Sequence, residues 1–145
     1  MIFSTSALEL ELSNNIIMNN LIVDAAREKI FLAFIVNKDI YTGSHENSKS
    51  NFEKLMVLIN EFLENNKTSL NDISAIYVNR GPGSFAGIRN SLSTIKALFL
   101  TKKIDYYCFS IEDFRDSEAF KYVDVPQLCE KYKIKKNLIK PIYLR

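Results

Sequence analysis

Apolar positions change their spacing along the chain, and the changes mark out its elements. Leu21 to Ala25 is an apolar run broken only by Asp24 near its end, the pattern of a strand with little exposed surface. Lys29 to Asn37 is a second such run, with Ile30, Phe31, Phe34, Ile35 and Val36, and Ile40 to Ser44 is a third. Short links between them predict an antiparallel meander. From about Ser50 to Asn65 the period lengthens. Phe52, Leu55, Met56, Ile59, Phe62 and Leu63 share one helical face, and Val57 and Leu58 widen it. Ala75 to Asn79 returns to a strand pattern. Ser84 to Thr101 is again helical, with Phe85, Ile88, Leu92, Ile95, Leu98 and Phe99 at helical spacing, and Ile104 to Phe109 is a further strand. The order β-β-β-α-β-α-β predicts an α/β lobe in which crossover helices lie on a mixed five-stranded sheet.

Two stretches fall outside this pattern. In Met1 to Asn19, Leu8, Leu10 and Leu12 alternate with Glu9 and Glu11 until Ser13-Asn14-Asn15 breaks the alternation. Residues 1–19 therefore read as an N-terminal extension outside the fold, and Met18 is an alternative start. The lobe itself is expected over residues 20–110. Residues 111–145 read as a short C-terminal remnant packing back on it, with a short helix starting near Glu112-Asp113 or Asp116-Ser117-Glu118 and another from Gln127 to Tyr132. Lys131 to Arg145 holds six basic residues and no acid. Contact with RNA phosphate, a solvated tail and a packed final strand all fit that composition.

Composition narrows the function classes. At 145 residues, 47% hydrophobic and 25% charged, the chain is one soluble domain's worth. A net charge of +2 forces neither a nucleic-acid nor a membrane reading, although residues 71 to 145 carry 13 basic and 8 acidic side chains against 6 and 9 in residues 1 to 70. Cys108 and Cys129 stand 21 positions apart without a C-x-x-C pattern, which suggests neither zinc nor a disulfide framework and fits a reducing cytoplasm. No apolar run has the length of a membrane span, and the N-terminus lacks the pattern of a signal peptide. His45 is the single histidine; His45-Glu46-Asn47-Ser48-Lys49 is not H-E-x-x-H, so no multi-histidine metal site is available. A serine hydrolase would need His45 near Ser84 and Asp24, an arrangement only geometry can supply. A loop or helix-entry role is expected for His45.

The stretch from Ala75 to Leu100 organises the rest. Three of the four glycines, Gly81, Gly83 and Gly87, follow the apolar strand and precede the helix, and Pro82 fixes φ between two of them. Ser84 is placed to cap the helix, with the first amides pointing outward as an anion site. Arg89 puts a cation near the positive helix end, where it gains nothing from the dipole; it is expected to reach for a partner or a carboxylate. A phosphate-cradling P-loop needs a Gly-Lys-Ser/Thr ending, and this one ends Ala86-Gly87-Ile88-Arg89. A dinucleotide turn wants an acid at the end of the next strand, whereas Asp105 stands at its start. In Gly83-Ser84-Phe85-Ala86-Gly87 the serine comes one place too early for a nucleophile elbow.

Arg80-Gly81-Pro82-Gly83-Ser84-Phe85-Ala86-Gly87-Ile88-Arg89 resembles, at nine of ten positions, the Arg-Gly-Pro-Gly-Ser-Phe-Thr-Gly-Leu/Ile-Arg signature of the TsaB (YeaZ) family, subunits of tRNA threonylcarbamoyladenosine synthesis. Asn20-Leu21-Ile22-Val23-Asp24 resembles that family's opening strand, and Pro141-Ile142-Tyr143-Leu144-Arg145 its ending. The resemblance implies a single actin-like (ASKHA, ribonuclease H-like) lobe, with the second lobe largely missing. The family's first strand is followed by Asp-Thr-Ser; here Asp24 precedes Ala25 and Ala26, so Asp24 marks a vestigial phosphate loop without its hydroxyls, and no closed nucleotide site is implied. The implied role is a non-catalytic scaffold, a pseudoenzyme without cofactor or metal. It would bind a TsaD-like catalytic paralogue, act with a TsaE-like ATPase on tRNA through the complex, and have a homodimer as a further state. The signature loop of Arg80, Gly81, Pro82, Gly83, Ser84, Phe85, Gly87 and Arg89 would lie beside the interface. The two helices would present Phe52, Leu55, Met56, Ile59, Ile88, Leu92 and Ile95 to the partner, with small Ala86, Ser91, Ser93 and Ala97 allowing close approach. A glycoprotease-like peptidase and a degenerate self-associating remnant are the alternatives.

Overall fold

The computed structural model describes residues 18–115 and 120–143. The extension over residues 1–17, Asp116-Ser117-Glu118 and the last two residues of the ending lie outside the described residues. Strands β1 (Asn19–Asp24), β2 (Lys29–Val36), β3 (Asp39–Glu46), β4 (Ala75–Asn79) and β5 (Asp105–Phe109) form one sheet in the order β3-β2-β1-β4-β5. β1 pairs antiparallel with β2 and β2 with β3, while β1, β4 and β5 run parallel. The expected mixed five-stranded sheet is thus present. β4 is buried at every position, as a central parallel strand covered on both faces must be.

One expected helix is two. Between Ser50 and Asn65 the chain breaks at Lys54 (φ −111°, ψ 27°) into α1 (Lys49–Glu53) and α2 (Leu55–Asn65). The break explains the excess width of the apolar stripe, because residues on either side of a backbone kink need not share one helical face. Helix α3 (Phe85–Lys102) carries the chain back from β4 to β5, and α4 (Val125–Lys131) follows near the C-terminus.

Strand alternation divides the core in two. Leu21, Val23, Leu32, Phe34, Ile76, Val78 and Tyr106 pack beneath α1, α2 and α3. Ile22, Ala33, Ile35, Tyr77 and Phe109 point the other way, onto Phe114, Val125 and Cys129. The segment after β5 thus covers the second face of the sheet. It also covers the β5 edge: the Asn137 amide donates to the Tyr106 carbonyl at 2.8 Å, and the Lys136 ammonium lies 3.7 Å from Asp105. The main chain of the basic tail is therefore packed on the lobe, while Lys131, Lys133, Lys135, Lys136 and Lys140 stay exposed.

Candidate functional site at the signature turn

The parallel strands β1 and β4 deliver Asp24 and Asn79 side by side at the same end of the sheet. Asp24 is wholly buried, and a buried carboxylate must be hydrogen-bonded. It accepts from the Ala26 amide (3.1 Å), the Asn79 side-chain amide (3.1 Å) and the Tyr122 hydroxyl (2.5 Å). Asn79 in turn accepts from the Gly81 amide at 2.9 Å. Tyr122, stacked 4.2 Å from Phe31, has its pKa raised by burial, then by the negative charge of Asp24 and the hydrogen bond to it. Asp24 therefore fastens the turn after β1, the turn after β4 and the C-terminal segment together.

The glycines hold the turn against main chain. Gly81 has φ +108°, a conformation that L side chains avoid, and the Gly81–Pro82 peptide is cis. A Cβ on Gly87 would lie 1.8 Å from the Ala25 carbonyl oxygen. Ser84 caps α3 as expected, accepting from the Gly87 amide at 3.1 Å, and its own amide donates to the Ala26 carbonyl at 2.8 Å. The Ala25 and Ala26 carbonyls crowd Gly87 and Gly83 on the inner side of the α3 start, so two of its amide groups, those of Ser84 and Gly87, are taken within the chain.

Arg80 turns inward. Its guanidinium meets Asp113 at 2.8 and 3.4 Å and donates to the Lys140 carbonyl at 3.2 Å, and its own carbonyl accepts from the Ile142 amide at 2.7 Å. It clamps both segments that follow β5. Gly83 and Pro82 are half-buried in the turn. Arg89 is exposed, and among the described residues it has no acidic partner.

The interface expectation is corrected for most of its residues. Phe52, Leu55, Ile59, Ile88, Leu92 and Ile95 are buried between the helices and the sheet, and Met56 is half-buried. A helix lying on a sheet turns its apolar stripe toward it, so the stripe was core. What α3 presents outward is rotated from it: Phe85, 54% exposed, then Arg89, Ser93, Lys96, Ala97, and Leu100, 59% exposed. Phe85 packs 4.6 Å from Tyr143. A groove of about 420 Å³ runs between this face and Ile139, Pro141 and Tyr143.

The parts of a hydrolytic triad are not gathered. His45 lies in β3 opposite Ile30, the Ser84 hydroxyl faces Gly87, and the partners of Asp24 are those given above. Cys108 and Cys129 are free and buried. Burial pushes their thiols up, to about 11 and about 12, so both are protonated at neutral pH. Among the described residues no three His, Cys, Asp or Glu side chains cluster as a metal site, and no helix is long and apolar enough to cross a membrane.

Residues 45–110, from the end of β3 through β5, match the family described as TsaD: tRNA N6-adenosine threonylcarbamoyltransferase. The tRNA threonylcarbamoyladenosine biosynthesis protein TsaB of Buchnera aphidicola subsp. Schizaphis graminum is 29% identical over 119 residues, 82% of this chain and 52% of that protein. TsaB of Buchnera aphidicola subsp. Baizongia pistaciae is 35% identical over 83 residues, 50% and 38% of the two chains. By these matches the chain is similar to proteins of the TsaB/YeaZ family. YeaZ from Pseudomonas aeruginosa shares the fold, with a TM-score of 0.59 at 19% identity over 64% of this chain and 44% of that one. The chain spans about half the length of the first of these TsaB relatives and less of the second. The signature turn, Asp24 and α3 are therefore elements of a TsaB-like lobe. Asn79 and Tyr122, which complete the Asp24 cluster, escaped the sequence reading. Asn79 had a signal, a polar side chain closing an apolar strand just before the glycines. Tyr122, 98 positions from Asp24, had none.

Proposed function

We propose that this chain is a non-catalytic subunit that docks a TsaD-like catalytic paralogue in the complex that forms threonylcarbamoyladenosine beside the tRNA anticodon. A TsaE-like ATPase and tRNA join through that complex. The observation that carries this reading is the outer face of α3. Phe85 and Leu100 stand exposed at its two ends with Ser93 and Ala97 between them, a surface on which a second helix can come close and bury aromatic and aliphatic groups. Arg89 and Lys96 lie on the same face and suit an acidic rim on the partner. Asp24 supports the non-catalytic part of the reading. Its carboxylate is wholly buried and occupied by three donors, the arrangement of a structural fastening.

The test is co-purification of this chain with the TsaD-like protein of the same organism, with the mass read by light scattering. A stable complex, and tRNA modification that requires this chain, is the expected result. Absence of association at tens of micromolar, with both proteins folded, overturns the proposal.

A further inference from the structure

Of the five lysines that residues 131–140 leave exposed, two have local partners. Lys131 lies 5.3 Å over the Tyr132 ring, and Lys136 lies 3.7 Å from Asp105. Lys133, Lys135 and Lys140 have no acidic partner among the described residues. These same three line one cavity of about 310 Å³, whose lining also includes Arg80, Asp113 and Leu138. Asp113 is the acid of that lining, and Arg80 already neutralises it at 2.8 Å. Three cations therefore gather round a space with no acid left to balance them, and like charges so placed repel until an anion joins them. From this cavity we infer that the C-terminal segment holds the phosphate backbone of an RNA strand, with the lysines on its phosphate oxygens.

Main-chain bonds set the positions of these lysines. The Lys133 amide donates to the Glu130 carbonyl at 3.2 Å and the Ile134 amide to the Cys129 carbonyl at 2.9 Å, the bonds that close a helix end. Lys133 there takes φ +56°, a left-handed position that glycine usually fills. Lys136 bridges to Tyr107 of β5, and the Asn137 side chain accepts from the Tyr106 amide at 2.9 Å. Arg80 holds the Lys140 carbonyl at 3.2 Å. A charged surface fixed in this way loses little entropy when it binds. The dipole of α4 favours a cation at Lys133, but it gives no reason for Lys135 or Lys140.

The chemistry of the lining selects the partner. Lysine, a hydrated point charge, is depleted where proteins bind proteins but is a common ligand of phosphate. A bilayer surface would ask for a broad apolar face beside the lysines, and over residues 131–140 Leu138 is the one large hydrophobic side chain that stands exposed. A small phosphate would need the cavity alone, yet basic groups continue along β5. Lys136 stands at Asp105, and the exposed Lys103 comes two positions before that strand begins. The strand's five residues span about 16 Å, room for several phosphates of one backbone. The cavity shares no lining residue with the groove on α3. Naming tRNA as the strand rests on the docking proposed above, whereas phosphate contact by this chain alone does not.

The experiment titrates a fluorescently labelled tRNA transcript with the whole chain, without the TsaD-like protein, and follows anisotropy from about 50 to about 200 mM salt. Micromolar binding is expected at the lower salt. Lys133→Gln, Lys135→Gln and Lys140→Gln together should weaken it by about tenfold or more and lower the slope of log K against log salt by about 2. Lys38→Gln, Lys54→Gln and Lys67→Gln remove the same charge from exposed positions outside the cavity and should weaken it by less than about threefold. All six side chains are exposed, so both triple variants should keep the urea midpoint of the parent chain. No binding by the parent chain, or equal losses in the two triple variants, would overturn the RNA site. Displacement of the transcript by inorganic pyrophosphate at equal phosphate concentration would make the cavity a small-anion site instead, and binding to phosphatidylglycerol vesicles but not to the transcript would make it a membrane contact. Because the TsaD-like protein is absent from the titration, failure of its docking leaves each of these results unchanged.

Discussion

Gly87 and Phe85 stand two positions apart in one ten-residue signature, yet they belong to opposite sides of the molecule. Gly87 is pressed on the Ala25 carbonyl beneath the turn, and Phe85 is exposed above it. The inward side is a lock of main chain on main chain, reinforced by Arg80 on Asp113 and by Asn79 on Asp24. The outward side is a surface with no described contact beyond Tyr143 and the groove beside it. A single short motif thus encodes both the closure of the lobe and the face the lobe offers. Substitutions on the two sides should separate stability from association.

Among substitutions in the inward lock, the largest effect is expected from Gly87→Ala. The new Cβ would meet a carbonyl oxygen at 1.8 Å, and neither the N-terminal turn of α3 nor the end of β1 can move without breaking the Ser84 cap and the Asp24 cluster. A loss of about 4 kcal/mol is expected, the scale of severe core overpacking, read as a shift in the urea midpoint. A loss below about 1 kcal/mol would mean that the turn yields and that its inward side is no lock.

Asp24→Ala comes next. It leaves the Asn79 amide, the Tyr122 hydroxyl and the Ala26 amide buried without their acceptor, and about 3 kcal/mol is expected by the same urea titration. The cluster also sets an alkaline limit. Tyr122 has a raised pKa in the folded chain, so its contribution is fully present below the ordinary phenol value near 10 and is lost as pH climbs above it. Tyr77, Cys108 and Cys129 shift in the same direction, chiefly through burial. Stability should therefore fall above about pH 9, and Tyr122→Phe should make that fall shallower.

The fold was readable because its signals are local. Strand runs, the helical period and the cap at Ser84 each depend on neighbours in the chain, and the sheet came out as expected with boundaries moved by a residue or two. The division of the signature into inward and outward residues was not readable. Periodicity locates an apolar stripe but not what lies on it, and Ile88, Leu92 and Ile95 carry the same pattern whether a sheet or a partner covers them. The same limit hid the break at Lys54, which no proline or glycine announces, and Tyr122, whose contact spans most of the chain. The signature carried the resemblance to TsaB-like proteins, while the roles of Arg80 and Gly87 as packing residues needed the contacts.

The smallest effect on stability, and the sharpest test of the comparison, belongs to the outward side. Phe85→Asp and Leu100→Asp replace exposed side chains and should change the urea midpoint by no more than about 0.5 kcal/mol; an acid early in α3 even complements the helix dipole. If the α3 face is the docking surface, the same variants lose capture of the TsaD-like protein, because each sets a carboxylate at a desolvated contact. Ile88→Glu, one turn from Phe85 but wholly buried, should instead unfold the chain, since a charge there has no water and no partner. Circular dichroism beside the binding measurement tells the two outcomes apart. If Phe85→Asp unfolded the chain, Tyr143 and the groove would be part of the lock; if it stayed folded and bound undiminished, the partner would have to use another face.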